Sequence, residues 1–300
     1  MKPSVAALVV TGAMLAAVCQ PLGASSLTQA ARPAPQAVAS DLTQLPLTGE
    51  VLQETGIADT LADLVDDDDI GDDIVGEAGA ASSTSSASRH YGFLSRQGNS
   101  RAPVARWNPC TSIGYRVNPT GGGSGATAEV KVAAARLRAS TGLPLVYRGT
   151  TRVVPGKGTA AYPNDTQIVI AWSKPGVTRY LPRARQGQYA VAGYGGGSWS
   201  TGYDAKDRKW GRFVRGYVVL NGTYHFAHGF GAGPRYGWQG TRGQLIMHEL
   251  GHAVGLDHTS DRSQIMYPTM TRKRAVYGAG DRTGLRYLGR ANGCLYLTPR

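Results

Sequence analysis

A chain of 300 residues with 41% hydrophobic content is long enough to bury a full core in one or two domains. Its 41 glycines fit a loop-rich domain better than a helical bundle. The net charge of +12 hides two unlike parts that cannot do the same job. Residues 1–100 hold 12 Asp+Glu against 4 Lys+Arg, and residues 101–300 hold 28 Lys+Arg against 8 Asp+Glu.

Residues 1–24 read as a secretory signal peptide. Lys2 gives a positive start, Val5 to Val18 is an apolar run too short to span a membrane, and small residues follow from Gly23 to Ser26. Lipid anchoring through Cys19 is the alternative, and the preceding Ala17-Val18 fits it poorly. No later stretch is apolar and long enough to cross a membrane.

Residues 25–100 read as an acidic, Ser/Ala-rich propeptide or linker that does not fold by itself. Pro33-Ala34-Pro35 and the serine-rich run at 81–88 are linker-like. Between them Asp66 to Asp69, then Asp72 and Asp73, crowd like charges that oppose compaction. Two readings stay open: a solvated spacer, or a propeptide whose acidic run covers a cleft of the basic part.

Residues 101–300 form the basic domain. Strands are expected over 113–118, 145–147, 166–172, 190–194 and 213–220, with the fourth running into a turn at Gly195-Gly196-Gly197. The run at 166–172 is apolar enough for a strand buried on both faces. A first helix is expected over 127–140, with Val130, Ala134 and Leu137 on one face and Gly142 closing it. A second spans about 242–254, and a last one follows Asp281, with Leu285 and Leu288 inward. Thr241 and Gln244 have capping-box spacing for the second helix. The order gives an α+β layout with a mixed sheet. With the leader removed, Cys110 and Cys294 remain, an even number for an exported chain. A disulfide between them would close most of the domain; two buried free thiols are the alternative.

The chemistry concentrates at His248-Glu249-Leu250-Gly251-His252-Ala253-Val254-Gly255-Leu256-Asp257-His258, which fits H-E-x-x-H-x-x-G-x-x-H. On a helix, His248 and His252 lie one turn apart on one face, so both imidazoles can reach one Zn²⁺. Gly255 ends the helix by accepting a left-handed conformation, and the turn brings His258 back as a third ligand. The fourth position stays open for water, with Glu249 beside it as general base. One catalytic zinc is expected; calcium finds no support in the sequence.

This eleven-residue motif resembles that of the metzincin zinc metallopeptidases. Ile265-Met266-Tyr267-Pro268 resembles their Met-turn, with Met266 as an apolar floor under the three histidines. The MYP form and the strand order are similar to the matrixin-like group, in particular secreted bacterial members. The resemblance implies a zincin-like fold: a twisted five-stranded mixed sheet, two main helices, and a small C-terminal subdomain with the Met-turn and a last helix. It also implies an extended peptide or protein substrate along an edge strand, here Val191, Ala192, Gly193 and Tyr194. The matrixins' propeptide cysteine has no counterpart. Their second, structural zinc is not carried over, because Asp165 has no histidines beside it. Tyr267 is expected to pack beside the Met-turn, and His225 and His228 to sit on a loop lining the cleft. Asp257 either orients a ligand histidine or faces solvent.

These features point to a secreted, extracellular zinc metalloendopeptidase, expected as a monomer. The basic surface suits acidic proteins or cell-wall polyanions, while nucleic acid has no recognisable motif here. The competing reading is a basic cell-surface binding module in which zinc is only structural. A third is a peptidase restricted to wall-linked peptides.

Overall fold

The computed structural model describes residues 90–184, 191–235 and 240–298. The leader at 1–24, Cys19, the acidic run at 66–73 and Ala190 lie outside the described residues. The chain runs as β1 (Gly92–Phe93), β2 (Ala105–Arg106), β3 (Ile113–Asn118), α1 (Ala126–Thr141), β4 (Leu145–Thr150), β5 (Ile168–Ser173), β6 (Gly193–Tyr203), β7 (Lys209–Asn221), α2 (Arg242–Val254), β8 (Leu256–Asp257) and α3 (Ala279–Leu288). The expected boundary at residue 101 falls inside the folded part, since β1 pairs antiparallel with β8.

The main sheet has six strands rather than five. The extra one, β2, is two residues long and runs parallel to β7; a piece that short carries no readable periodicity. The order β4-β3-β5-β7 is parallel throughout, and β6 closes the far edge antiparallel to β7. Every residue of β5 is buried, as its near-continuous apolar run requires of a central strand.

Two elements differ from expectation. The fourth strand starts at Gly193 and runs to Tyr203, so Gly195-Gly196-Gly197 lies within the strand instead of forming a turn. The fifth strand begins at Lys209, which makes β6 and β7 a long hairpin around 204–208. The glycines serve close approach. A Cβ on Gly195 would lie 2.1 Å from the Glu249 carbonyl oxygen, and one on Gly197 would lie 2.4 Å from the Arg215 carbonyl oxygen.

Helix α1 buries Val130, Ala134 and Leu137 and ends at Gly142, whose N–H donates to the Arg138 carbonyl at 2.7 Å. Helix α2 is buried at all 13 positions. It packs against β6, β7, α1 and α3, so it shows no polar face. Its start is fixed by an ion-pair hub. Glu129 of α1 accepts from Arg242 Nε and from the Gly229 N–H, while the Arg242 guanidinium also donates to the Gly122 and Ser124 carbonyls. Cys110 and Cys294 form a disulfide across 184 residues of chain. No helix among the described residues is long and apolar enough to cross a membrane.

Candidate metal and catalytic site

Helix α2 begins at Thr241, whose Oγ1 accepts the Gln244 N–H at 3.3 Å. Only half of the capping box forms, because the Gln244 side chain donates instead to Thr271 Oγ1. The helix ends at Gly255, where φ is 113° and the N–H donates to the Gly251 and His252 carbonyls. That left-handed residue turns the chain, and β8 carries it to His258.

The turn brings His248, His252 and His258 together, with their ligand atoms all within 4.8 Å. The Nε2 atoms of His248 and His252 lie 3.1 and 3.2 Å from His258 Nε2. The other ring nitrogens of the helical pair are committed: His248 Nδ1–H donates to the Ile265 carbonyl at 2.7 Å, and His252 Nδ1–H to the Leu256 carbonyl at 2.8 Å. A carbonyl only accepts, so both Nε2 atoms present lone pairs to the centre. Converging lone pairs repel unless a cation lies between them. Tetrahedral coordination at ~2.0–2.1 Å places ligand atoms roughly 3.3 Å apart, so the donor set fits zinc.

Burial and the neighbouring His258 push the His248 pKa down to about 3. Burial holds His252 well below its ordinary value and His258 down at about 4. All three rings are therefore neutral, as ligands must be, at neutral pH.

Glu249 is 1% exposed and faces β6. Burial pushes its carboxyl up to about 8, against the pull of a hydrogen bond from the Gly195 N–H. Its Oε1 has no hydrogen-bond partner among the described residues. A Cβ on Gly193 would lie 2.6 Å from that same oxygen. Met266 is fully buried, with its sulfur against Gly251, one residue before His252.

The four residues expected on the substrate strand divide. The carbonyls of Val191 and Ala192 are taken by Asn221, through its Nδ2 at 2.9 Å and its N–H at 2.8 Å. Tyr194 stacks on Tyr180 and Tyr217. Gly193 alone lies against Glu249. Asp257 Oδ1 accepts the His258 backbone N–H at 2.8 Å and Gln97 Nε2 at 2.7 Å, so it fixes the turn and not a ligand ring. Tyr267 lies beneath the Arg262 guanidinium. His225 and His228 are exposed, and His228 sits near Glu129 at the start of α2 rather than with the triad. Asp165 pairs with Arg116.

Sequence reasoning missed the support beneath the site. Asp281 is fully buried in the first turn of α3 and accepts the N–H groups of Ile265 and Gly278 at 2.6 and 3.0 Å. It thereby holds the segment whose Ile265 carbonyl orients His248. The Tyr277 hydroxyl donates to the Met247 carbonyl at 2.9 Å. Nothing local in the sequence marks either role, since both contacts cross more than a dozen residues.

Comparison with known proteins agrees with this geometry. The matrixin family model matches residues 221–288, from the end of β7 through α3. Macrophage metalloelastase of Oryctolagus cuniculus is 43% identical over 58 residues, a match covering 14% of this chain and 12% of that relative. The chain thus spans about an eighth of the relative it matches. Both findings support a metzincin, matrixin-like metallopeptidase.

Proposed function

We propose that this protein is a secreted zinc-dependent endopeptidase that hydrolyses peptide bonds. The observation that carries the reading is the convergence of ring nitrogens from His248, His252 and His258, with the buried carboxyl oxygen of Glu249, the next residue on the helix after His248, left without a partner among the described residues. His248, His252 and His258 would hold the zinc, with Met266 packed beneath. A bound zinc supplies Lewis acidity, drawing the pKa of a water toward about 7 and polarising a carbonyl.

The chain's own residues supply the rest. Burial alone keeps the Glu249 carboxyl protonated up to about pH 8; the positive charge of a bound zinc would favour its ionised form, whose free Oε1 would accept the proton of the attacking water before the same carboxyl delivers it to the departing amine. The Gly195 N–H holds the other side of that carboxyl against the edge strand. Burial beneath β6 keeps bulk water from competing for the base. The substrate backbone lies extended beside β6.

The leader at 1–24 would direct export and the acidic segment at 25–100 would precede the catalytic part. The disulfide is compatible with an oxidising compartment. A purely structural zinc module has no use for an unpaired buried base, and such sites have four protein ligands.

Glu249→Ala tests the assignment. Activity on a mixed peptide library should fall about 10²–10⁴-fold, with zinc content and thermal unfolding unchanged. Chelation should abolish cleavage in the wild type, and added zinc should restore it. Full activity in the variant would sink the role of Glu249.

A further inference from the structure

Strand β8 supports two of the three histidines, and β8 is itself held by residues far outside the histidine motif. The Leu256 carbonyl accepts from His252 Nδ1, and the Asp257 carboxylate accepts from the His258 backbone N–H. A strand of two residues is held in place by what it pairs with. Here β1 does the holding: Gly92 faces Asp257, Phe93 faces Leu256, and the Leu94 N–H donates to the Gly255 carbonyl at 2.9 Å. The approach is close. A Cβ on Gly92 would lie 3.1 Å from Asp257 Cβ and 3.3 Å from the His258 carbonyl oxygen.

A 3₁₀ turn over Leu94–Arg96 follows β1, and Gln97 closes it. Gln97 Nε2 donates to Asp257 Oδ1 at 2.7 Å, the same oxygen that accepts the His258 N–H. The nitrogen is the end of the amide from which a carboxylate can accept. The other end is unsatisfied: Gln97 Oε1 is buried with no hydrogen-bond partner among the described residues. A buried oxygen left unpaired costs stability. Glutamine is therefore a poor residue here for stability alone and a good one for bringing a donor to Asp257.

We propose that Gln97 is a positioning residue of the metal site, acting through Asp257 on His258. Its amide fixes the Asp257 carboxylate, and the carboxylate fixes the backbone from which His258 projects. In the same way β1 fixes the Leu256 carbonyl behind His252. The support of the ligand set thus begins 160 positions before Asp257. This rests on the zinc-site reading and adds to it a partner that the motif does not contain.

The test measures zinc affinity of the full-length chain by competition with a chromophoric chelator, beside chemical denaturation of the metal-free protein. Gln97→Met keeps the length of the side chain and removes both the donor and the unpaired oxygen. Zinc affinity should fall about tenfold, the lower end of what partners of ligating residues carry. Stability without metal should change little, because a lost hydrogen bond and a lost unpaired oxygen offset each other. Ser95→Ala is the control. It breaks a bond of the same segment, the one from the Ala105 N–H at 2.9 Å, which runs to β2 and not to β8. Stability should fall there and zinc affinity should hold. In an Asp257→Ala background, Gln97→Met should have no further effect on zinc affinity, since the relay is already cut.

Unchanged zinc affinity in Gln97→Met overturns the proposal, as does an equal loss with and without Asp257. Parallel losses of affinity and stability in both Gln97→Met and Ser95→Ala also overturn it, because the segment would then act by packing alone. A wild type that binds no zinc defeats the metal-site reading itself, whereas a wild type that binds zinc no more tightly than Gln97→Met defeats the role of Gln97 alone.

Discussion

Helix α2 and strand β6 press against each other and build the site in opposite ways. The helix works through side chains: two imidazoles, a carboxylate, a capping threonine and an anchoring arginine. The first five residues of the strand carry one side chain, that of Tyr194, and otherwise offer backbone. The helix can hold its groups rigidly because all its positions are buried. The strand can approach it because glycines leave no Cβ in the way. Side-chain chemistry leaves letters at fixed spacing, while backbone chemistry leaves only an absence of bulk.

The largest effect on this comparison should come from Gly195→Ala. Its Cβ would meet the Glu249 carbonyl at 2.1 Å, and a helix backbone cannot swing aside. Strand and helix must separate, at a cost of about 3 kcal/mol or more by analogy with overpacked cores. Chemical denaturation reads this directly, and activity should fall with it. Gly193→Ala meets instead the flexible end of the Glu249 side chain. Its stability should change little while kcat drops, because the carboxylate is displaced from its seat. Equal stability losses in the two variants would show that the two glycines do the same thing.

That contrast explains what the sequence made legible. The helix from Thr241 to Gly255 and the meeting of its two histidines with His258 are readable because each position has a side-chain reason. The buried strand at 168–173 was readable from its apolar run. Gly195-Gly196-Gly197 reads as a turn because glycine has two uses, positive φ and close approach, and a single sequence does not distinguish them. The two-residue β2 and the hold of Asp281 on Ile265 were not legible, because pairing across a fold leaves no local trace.

The ligand side of the comparison can be strained by pH. The three imidazoles stay neutral in the fold because their pKa values are depressed, to about 3 for His248 and about 4 for His258. The unfolded chain takes up those protons near pH 6.5. Without zinc, stability should therefore be full above about pH 6.5 and fall as pH drops from there toward 4. Each neutral ring contributes about 1.4 kcal/mol per pH unit in that window. His258→Gln should flatten the slope measured by denaturation in chelator, and an unchanged slope would show that this ring does not contribute.

Beneath the ligands, Asp281→Asn replaces a carboxylate that accepts from Ile265, Met266 and Gly278 with an amide that can accept on one side only. Leaving a buried N–H without a partner costs about 1–3 kcal/mol. The loss should appear in stability and also in zinc affinity, since Ile265 orients His248. A stability loss with zinc affinity intact would mean that Ile265 stays in place without its anchor.

The smallest effect belongs to the helix start. Thr241→Ala removes one side-chain acceptor for the Gln244 N–H, which by itself costs about 1 kcal/mol. The other half of the expected box is absent, so no second bond is lost with it. The helix is also held at the same end by Arg242, clamped between Glu129 and two loop carbonyls. Thr241→Ala should therefore lower stability by about 1 kcal/mol and leave zinc affinity and kcat unchanged. Arg242→Ala should cost several-fold more in free energy, because it strips a buried carboxylate of its partner. If the two variants proved equal, the cap and not the ion pair would be setting where α2 begins, and with it the register that brings Glu249 against the edge strand.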